Sequence, residues 1–362
     1  MTAFSTALKE RGHRRDIIDG LISEDINEFV TILSPGLDVS VDRLREIIRA
    51  NRDTIIRTVT QRGVLVFRGF TGIDSKTFNR LILDDLAFIS NNAFNLKNVP
   101  GFMASWLRKY SESLVGGDYR RYLDRNTVRL GPAADSVQGP HTEGGVCSEK
   151  SRFIALCCLE PAEHLGETGI CDFSDIWNKL PPAQKERYQT ASNLYAYTTR
   201  RRIHWFDRLM LRYSPYTVST LLSGKAELAL PPCPFVVKHP ETNQLCIQPW
   251  AFAKNTNGSV QRMAQATFQK RGPLTKDCTA EELNMNWRLC DSNGEIIKWD
   301  EKDHDEFFQL IFENAYLMQW EKGDVAIVDN VKCGHWRMNG KQGDRKIIQI
   351  QANHFNADDH RP

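Results

Sequence analysis

The stretch from residue 137 to residue 172 restricts the fold and the chemistry of this chain more than any other. It contains a His-x-Glu pair, His141 and Glu143, then the compact apolar run Phe153–Leu159, and then a second apolar run at 169–173. Residues i and i+2 of an extended chain point to the same side, so this imidazole and this carboxylate face one point in space. Two histidines and one carboxylate on one face of a metal ion leave its other positions open. The stretch therefore predicts buried strands and two ligands of a metal site.

The His-x-Glu spacing is not specific alone, because the chain contains three such pairs. They are His141/Glu143, His239/Glu241 and His304/Glu306. His304 lies in the acidic segment WDEKDHDEF, and His239 precedes a proline in a turn. A buried, hydrogen-bonded histidine or a solvent-facing one accounts for these two. Only His141 is followed by glycines and a buried strand, so we predict His141 and Glu143 as the ligands.

The composition is that of an ordinary folded protein. The chain has 362 residues, of which 41% are hydrophobic and 25% charged, which is enough to bury a core without disulfides. A net charge of +2 gives no reason to expect a nucleic acid or membrane partner. The N-terminus lacks an apolar segment of signal-peptide length, so we expect a cytoplasmic protein. The nine cysteines include no CxxC pair, and we expect free, mostly buried thiols.

Local signals divide the chain into a helical first part and a strand-rich remainder. Residues 1–60 are predicted to be mostly helical, with Ser40 as an N-cap and Gly63 as the terminating residue. The apolar run Val64–Phe67 predicts a buried strand, and short strands dominate from Asn126 onward. No repeat, low-complexity tract or linker interrupts the sequence, so a single domain over 1–362 is predicted.

Six segments in collinear order resemble the TauD/TfdA family of Fe(II)/2-oxoglutarate dioxygenases, most of all its clavaminate synthase-like and SyrP-like branch. They are GVLVFRGF (63–70), GPHTE (139–143), LEPAEHLGETGICD (159–172), FVVKHPETNQLCIQ (235–248), WEKGDVAIVDNVKCGHWR (320–337) and GDRKIIQIQ (343–351). The resemblance implies a mainly β fold with helical elaborations, a cupin-like double-stranded β-helix or jelly roll. The helical part would cover about 1–62 and the barrel about 63–355, with an insertion at about 175–320.

The resemblance also implies a cofactor site. His141, Glu143 and His335 would hold Fe(II), Thr168 and Arg345 would bind 2-oxoglutarate, and O₂ would be the third reactant. A guanidinium fork suits a carboxylate because it forms two parallel, charge-assisted hydrogen bonds. Without the resemblance, a surface ion pair between Arg345 and Asp344 would be the better reading of that arginine.

The implied activity is oxidation, most simply hydroxylation, of an unactivated C–H bond, with decarboxylation of 2-oxoglutarate to succinate. The substrate would be a small amino-acid-like or specialised metabolite, free or tethered to a carrier protein. Desaturation, cyclisation or epimerisation at the same iron centre remains open, as does a non-catalytic jelly roll that binds a metabolite. The oligomeric state cannot be read from the sequence.

Five residues are candidates for substrate contact: Gln138, Gln248, Arg337, Gln349 and Arg201. Gln349 stands where several relatives carry a substrate-binding arginine. Arg201 belongs to the cluster Arg200–Arg202, near His204 and Trp205, which could hold an anionic substrate or a carrier's phosphate, or could be a solvated face.

The chain departs from the family pattern in three places, and we expect these changes to alter the shape of the pocket. Leu165 replaces a common glycine, Trp336 replaces the glycine after the distal histidine, and Gly144 and Gly145 follow the first ligand pair.

Overall fold

A computed structural model defines the fold over most of the chain. It describes residues 18–91, 106, 109–110, 113–115, 121–123, 126–130, 136–214, 216–268 and 285–362. Elements are numbered below in chain order. In these parts of the chain no helix is long and apolar enough to cross a membrane. The described cysteines are free thiols and all but Cys147 are buried, as predicted.

Two facing sheets form the centre of the molecule. The larger has eight strands in the order β1 (Leu21–Asp25), β2 (Val30–Pro35), β3 (Val64–Phe67), β18 (Val325–Asp329), β6 (Glu149–Glu160), β21 (Lys346–Asn356), β5 (Thr127–Arg129) and β4 (Arg121–Tyr122). The smaller has three strands in the order β17 (Tyr316–Met318), β8 (Thr168–Asp172) and β19 (Cys333–Arg337).

Strand β6 is apolar at consecutive positions because both of its faces are buried. Ile154, Leu156 and Cys158 pack toward the smaller sheet, in one cluster with Ile170. The alternate residues, such as Phe153, lie in a second cluster on the other face of the large sheet, where helices cover it. Both faces of the strand are therefore buried, and side chains alternate between two cores.

The N-terminal part corrects the helical prediction. Residues 1–17 lie outside the described part of the chain, and β1 and β2 pair as antiparallel strands at 21–35. The helices begin only at α1 (Val41–Ala50) and continue in α2 (Arg52–Arg62). Ser40 caps α1 as predicted, and Gly63 ends α2 with a φ of 118°. Strand β2 runs parallel to β3, so a partner distant in sequence decides its conformation.

The remaining helices and strands surround this core, and the first of them lies beside α1 and α2 on the outer face of the larger sheet. The helices are α3 (Ser75–Asn79), which continues as a π-helical turn (Arg80–Asp85), α4 (Phe173–Lys179), α5 (Pro182–Tyr188), α6 (Trp205–Leu211), α7 (Asn257–Thr267), α8 (Glu301–Glu313) and a final 3₁₀ turn (Ala357–His360). The strands are β7 (His164–Leu165), β9 (Ser192–Thr198), β10 (Thr217–Thr220), β11 (Ala226–Ala229), β12 (Cys233–Pro234), β13 (Val236–Lys238), β14 (Leu245–Ile247), β15 (Met285–Cys290), β16 (Ile296–Ile297) and β20 (Gly340–Lys341). Strands β9–β12, β15 and β16 form one further sheet. Its aromatic core includes Tyr195, Phe235 and Trp287.

Trp336, one of the departures from the family pattern, is part of this core. Trp336 on β19 pairs with Gly169 on β8, and its ring contacts that of Phe312 at a centroid distance of 5.4 Å. The side chain is fully buried. Adjacent residues of a strand point to opposite faces, so the indole lies on the face opposite the His335 imidazole. Trp336 thus fills the core under the smaller sheet, which corrects the expectation that it reshapes the pocket.

Gly169 leaves the space that Trp336 needs, so we expect Gly169→Ala to destabilise the fold. A Cβ at this position would lie 2.2 Å from the indole of Trp336. Overpacking of a buried contact of this kind typically costs about 1–3 kcal/mol in the free energy of unfolding. Urea denaturation followed by fluorescence measures it. Gly36→Ala is the control, because its Cβ would meet nothing closer than 3.8 Å. Equal stability of the two variants would contradict the packing argument.

Candidate active site

The segment that carries His141 crosses the end of the smaller sheet beside His335. The two residues exchange backbone hydrogen bonds, from the N–H of His335 to the carbonyl of His141 at 2.9 Å and in the reverse direction at 3.2 Å. Their rings lie 4.6 Å apart at the centroids. On its other side, β19 pairs with β8, with His335 opposite Ile170. A single antiparallel bridge therefore brings together two residues that are far apart in the sequence.

Glu143 completes a buried group of three potential metal ligands. One ligand atom from each of His141, Glu143 and His335 lies within 4.8 Å of the others, and the three residues are 3–6% exposed. Among the described residues, no other cluster of three or more histidine, cysteine and carboxylate side chains is close enough to hold a metal ion. Two imidazoles and one carboxylate are the ligand set of non-haem Fe(II) oxygenases.

The hydrogen bond of His141 fixes which nitrogen faces the metal site. Its Nδ1 lies 2.8 Å from the carbonyl oxygen of Gly139, which can only accept a hydrogen bond. Nδ1 therefore carries the proton, and Nε2 has a lone pair for a metal. The ring of Trp250 packs against this imidazole at a centroid distance of 4.8 Å and limits its rotation.

The side-chain amide of Asn330 fixes the main chain of Glu143. The Glu143 N–H donates to Asn330 Oδ1 at 2.7 Å, and Asn330 Nδ2 donates to the carbonyls of Glu143 at 2.9 Å and Ser151 at 2.8 Å. Sequence reasoning assigned no role to this residue. The sequence feature that could have indicated this role is the dipeptide Asp329–Asn330 at the end of β18.

The two residues predicted to bind 2-oxoglutarate lie at different sheets, Thr168 in the smaller one and Arg345 beside β21 of the larger one. Thr168 begins β8, is buried, and its Oγ1 accepts a hydrogen bond from Trp320 Nε1 at 2.8 Å. Arg345 directly precedes β21 and makes no ion pair with Asp344; its buried Nε has no hydrogen-bond partner in the described structure. Burial, followed by repulsion from Arg337, lowers the pKa of Arg345 to about 10. An anion bound beside Arg345 would raise this pKa and so oppose the effects of burial and of Arg337.

Two of the substrate candidates lie on the same edge of the site. The N–H of Gln138 donates to the carbonyl of Arg337 at 2.9 Å, and Arg337 Nη2 donates to the carbonyl of Ser136 at 3.2 Å. Arg337 pairs with Thr168 across β19 and β8. The cation at Arg337 is therefore on the strand that carries His335 and close to Arg345.

The other three substrate candidates have partners within the protein. Gln349 donates from Nε2 to Glu143 Oε2 at 3.2 Å. Gln248 accepts a hydrogen bond from the buried Lys150 and donates to the carbonyl of Val331 at 2.8 Å. Arg201 forms two hydrogen bonds to Asp207, at 2.6 and 2.7 Å.

His239, the second histidine of a His-x-Glu pair, is a structural residue. It is fully buried, and its Nδ1 accepts the backbone N–H groups of Glu241 and Thr242. Its Nε2 therefore carries the proton and donates to Asp329 Oδ2 at 2.9 Å. This is the satisfied imidazole that the sequence predicted.

Comparison with known proteins gives the family. The sequence profile described as "Taurine catabolism dioxygenase TauD, TfdA family" matches residues 28–351. The chain belongs to the TauD/TfdA family. It is an Fe(II)/2-oxoglutarate-dependent dioxygenase, and iron and 2-oxoglutarate are its cofactors. No curated protein sequence matches the chain.

Solved structures agree with this family fold. PvcB from Pseudomonas aeruginosa superposes with a TM-score of 0.55 at 11% identity, over 97% of this chain and 96% of that chain. A structure described as PvcB, an Fe, alpha-ketoglutarate dependent oxygenase from an isonitrile synthetic pathway, gives a TM-score of 0.54 at 10% identity, over 96% and 97% of the two chains. Likeness at this identity concerns the fold alone. It confirms the predicted double-stranded β-helix.

We expect Asn330→Ala to destabilise the protein strongly. The change leaves the buried N–H of Glu143 and two carbonyls without partners, and each such group typically costs about 1–3 kcal/mol. The free energy of unfolding should fall by about 2–4 kcal/mol in chemical denaturation. Asn178→Ala, on the exposed surface of α4, should change it by less than about 0.5 kcal/mol. A similar small effect at both positions would show that Asn330 does not support the site.

Proposed function

We propose that His141, Glu143 and His335 bind the Fe(II) of this dioxygenase. The supporting observation is the buried convergence of the three ligand atoms within 4.8 Å. The donor set fits the metal, because His141 carries its proton on Nδ1, so that Nε2 is the ligand atom, and oxygen and nitrogen donors suit Fe(II). Burial of all three side chains also excludes bulk water from that side of the metal.

In the same proposal, Arg345 and Thr168 bind 2-oxoglutarate. Arg345 is a half-buried cation with a buried Nε and no carboxylate partner among the described residues, which fits one carboxylate of a dicarboxylic acid. Thr168 lies opposite Arg337 on the adjacent strand, so the two side chains lie on the same face of the smaller sheet, which is also the face of His335. The bound iron and 2-oxoglutarate supply the oxidising chemistry, in which 2-oxoglutarate is decarboxylated to succinate. The protein contributes binding, orientation and exclusion of water.

We further propose that the reaction is hydroxylation of an unactivated C–H bond in a small, amino-acid-like or specialised metabolite. The position of the substrate decides between hydroxylation and desaturation, cyclisation or epimerisation, and the same centre serves all of them. A metabolite-binding protein without turnover is less well supported, because none of the five predicted metal and 2-oxoglutarate positions is lost. Gln138 and Arg337 are the substrate candidates that lie at this edge of the site.

A substrate tethered to a carrier protein is a second candidate, favoured by the exposed surface around α6. Trp205 is 76% exposed and Tyr213 is 87% exposed, and both lie among arginines. Arg200, Arg202, Arg208 and Arg212 are exposed there. Arginine and aromatic residues are enriched at protein interfaces, and this charge suits an acidic partner.

We expect His141→Ala to abolish stoichiometric Fe(II) binding and 2-oxoglutarate-dependent O₂ uptake, because it removes a ligand with no substitute nearby. Anaerobic calorimetric titration and an oxygen electrode measure the two quantities. His304→Ala is the control: this histidine lies on α8 against the rings of Trp299 and Phe308, so a folded preparation should keep its iron affinity. Loss of iron binding in His304→Ala but not in His141→Ala would overturn the ligand assignment.

We expect Arg345→Ala to weaken 2-oxoglutarate binding by about 100-fold or more, because the change removes the cation that pairs with a buried carboxylate. The dissociation constant for 2-oxoglutarate can be measured on the Co(II)-loaded protein under anaerobic conditions. Arg345→Lys keeps the charge but not the planar fork, so its affinity for 2-oxoglutarate should lie between those of the parent protein and Arg345→Ala. An unchanged constant in Arg345→Ala would rule out this role.

A further inference from the structure

The amide of Gln349 is bonded to the carboxylate of Glu143. Nε2 of Gln349 lies 3.2 Å from Oε2 of Glu143, and the two residues are 0% and 3% exposed. An ionised carboxylate accepts hydrogen bonds and cannot donate them, so the NH₂ group of the amide must face it. The same Oε2 lies 4.0 Å from Nε2 of His335. The amide therefore contacts a proposed metal ligand directly.

The Glu143 carboxylate fixes the orientation of this amide. A flipped Gln349 amide would turn its oxygen toward the carboxylate, so that two acceptors would face each other. A row of buried polar side chains continues from the other end of the amide and follows this orientation. Gln351, two residues further along β21 and on the same face, donates from Nε2 to Oε1 of Gln349 at 3.4 Å. The Ser151 hydroxyl, next in the row, donates to the Asn91 carbonyl at 2.6 Å.

The backbone of Gln349 is also held on both sides. Strand β21 lies between β6 and β5, where Gln349 is opposite Leu156 on one strand and Val128 on the other. Because this strand is paired on both sides, the backbone that carries the Gln349 side chain has little freedom to move. The side-chain N–H therefore restrains the carboxylate, while Asn330 restrains the main chain of the same residue.

We infer that Gln349 is a positioning residue for Glu143, which sets the plane and the rotamer in which the carboxylate meets the metal. The inference rests on the proposed function, since it requires that Glu143 be a metal ligand. Groups that hydrogen-bond to metal ligands fix the ligand orientation, and their loss typically weakens metal binding about 10–100-fold. The role is distinct from direct contact with the substrate, which the sequence suggested for this position.

The test is Co(II) binding to the full-length protein, which needs no substrate and no turnover. Gln349→Met keeps the length of the side chain and removes the N–H, so the Co(II) dissociation constant should rise about 10–100-fold. The visible absorption of bound Co(II) should shift as well, because the carboxylate meets the metal differently. Gln351→Met is the matched control: it is buried on the same face of β21 but does not touch Glu143, and its Co(II) constant should stay within about three-fold. Parent-like affinity and spectrum in Gln349→Met would overturn the inference.

Two further variants keep the result interpretable. Gln349→Asn retains a buried amide but withdraws it by one methylene, and it should lose Co(II) affinity even if Gln349→Met folds poorly. His141→Ala, titrated in parallel, separates the two hypotheses. If His141→Ala still binds Co(II) with the parent affinity, the proposed metal site is wrong. If only His141→Ala loses binding, the metal site stands and the role of Gln349 is wrong.

Discussion

The exchange of two backbone hydrogen bonds between His141 and His335 is the contact on which the site depends. It joins the end of the smaller sheet to the segment that leads into β6, and the hydrogen bond from the Gln138 N–H to the Arg337 carbonyl joins the same two stretches. The register matters, because a slip of one residue would turn one imidazole to the opposite face. Glu143 then follows at the i+2 position on the same side as His141. The geometry of the ligand set is thus a property of the backbone before any metal binds.

A buried charge holds the turn that supplies this contact. Asp329 ends β18 and accepts hydrogen bonds from the backbone N–H groups of Val331 and Lys332, which begin the path into β19. Its carboxylate also bonds to Arg152 and His239. Burial acts to raise the pKa of Asp329, but the charge of Arg152 and the hydrogen bond from His239 outweigh it and lower that pKa. The second His-x-Glu pair therefore shapes the turn that carries Asn330 and leads to His335.

The sequence predicted those parts of the structure that local pattern determines. Phe153–Leu159 reads as a strand because both faces are buried, and Gly63 ends α2 because positive φ suits glycine. Strands β1 and β2 were missed because their pairing with each other and with β3 outweighs the local signal. Leu165 illustrates a different limit: it adopts a φ of 57°, a left-handed conformation that leucine disfavours, and no local signal in the sequence predicts it.

Side-chain partners were beyond the reach of the sequence even where the face was right. Gln349 was predicted to contact the substrate, yet its neighbour in the structure is Glu143. Gln248 and Arg201 were also predicted as substrate contacts, and the structure gives each of them a buried or charged partner. A polar residue near a site can serve the substrate or the scaffold, and only the coordinates of its neighbours distinguish the two.

The assignment of Gln349 to the scaffold has a consequence for recognition of an anionic substrate. Where relatives have an arginine, this chain has a neutral amide whose N–H is directed to a ligand. Positive charge at this edge of the site is then carried by Arg337 and Arg345, which lie close enough for Arg337 to lower the pKa of Arg345. The Arg337 guanidinium is held by the hydrogen bond from its Nη2 to the Ser136 carbonyl, and the Arg337 carbonyl accepts the N–H of Gln138. The segment that leads to His141 therefore also holds the positive charge at this edge of the site.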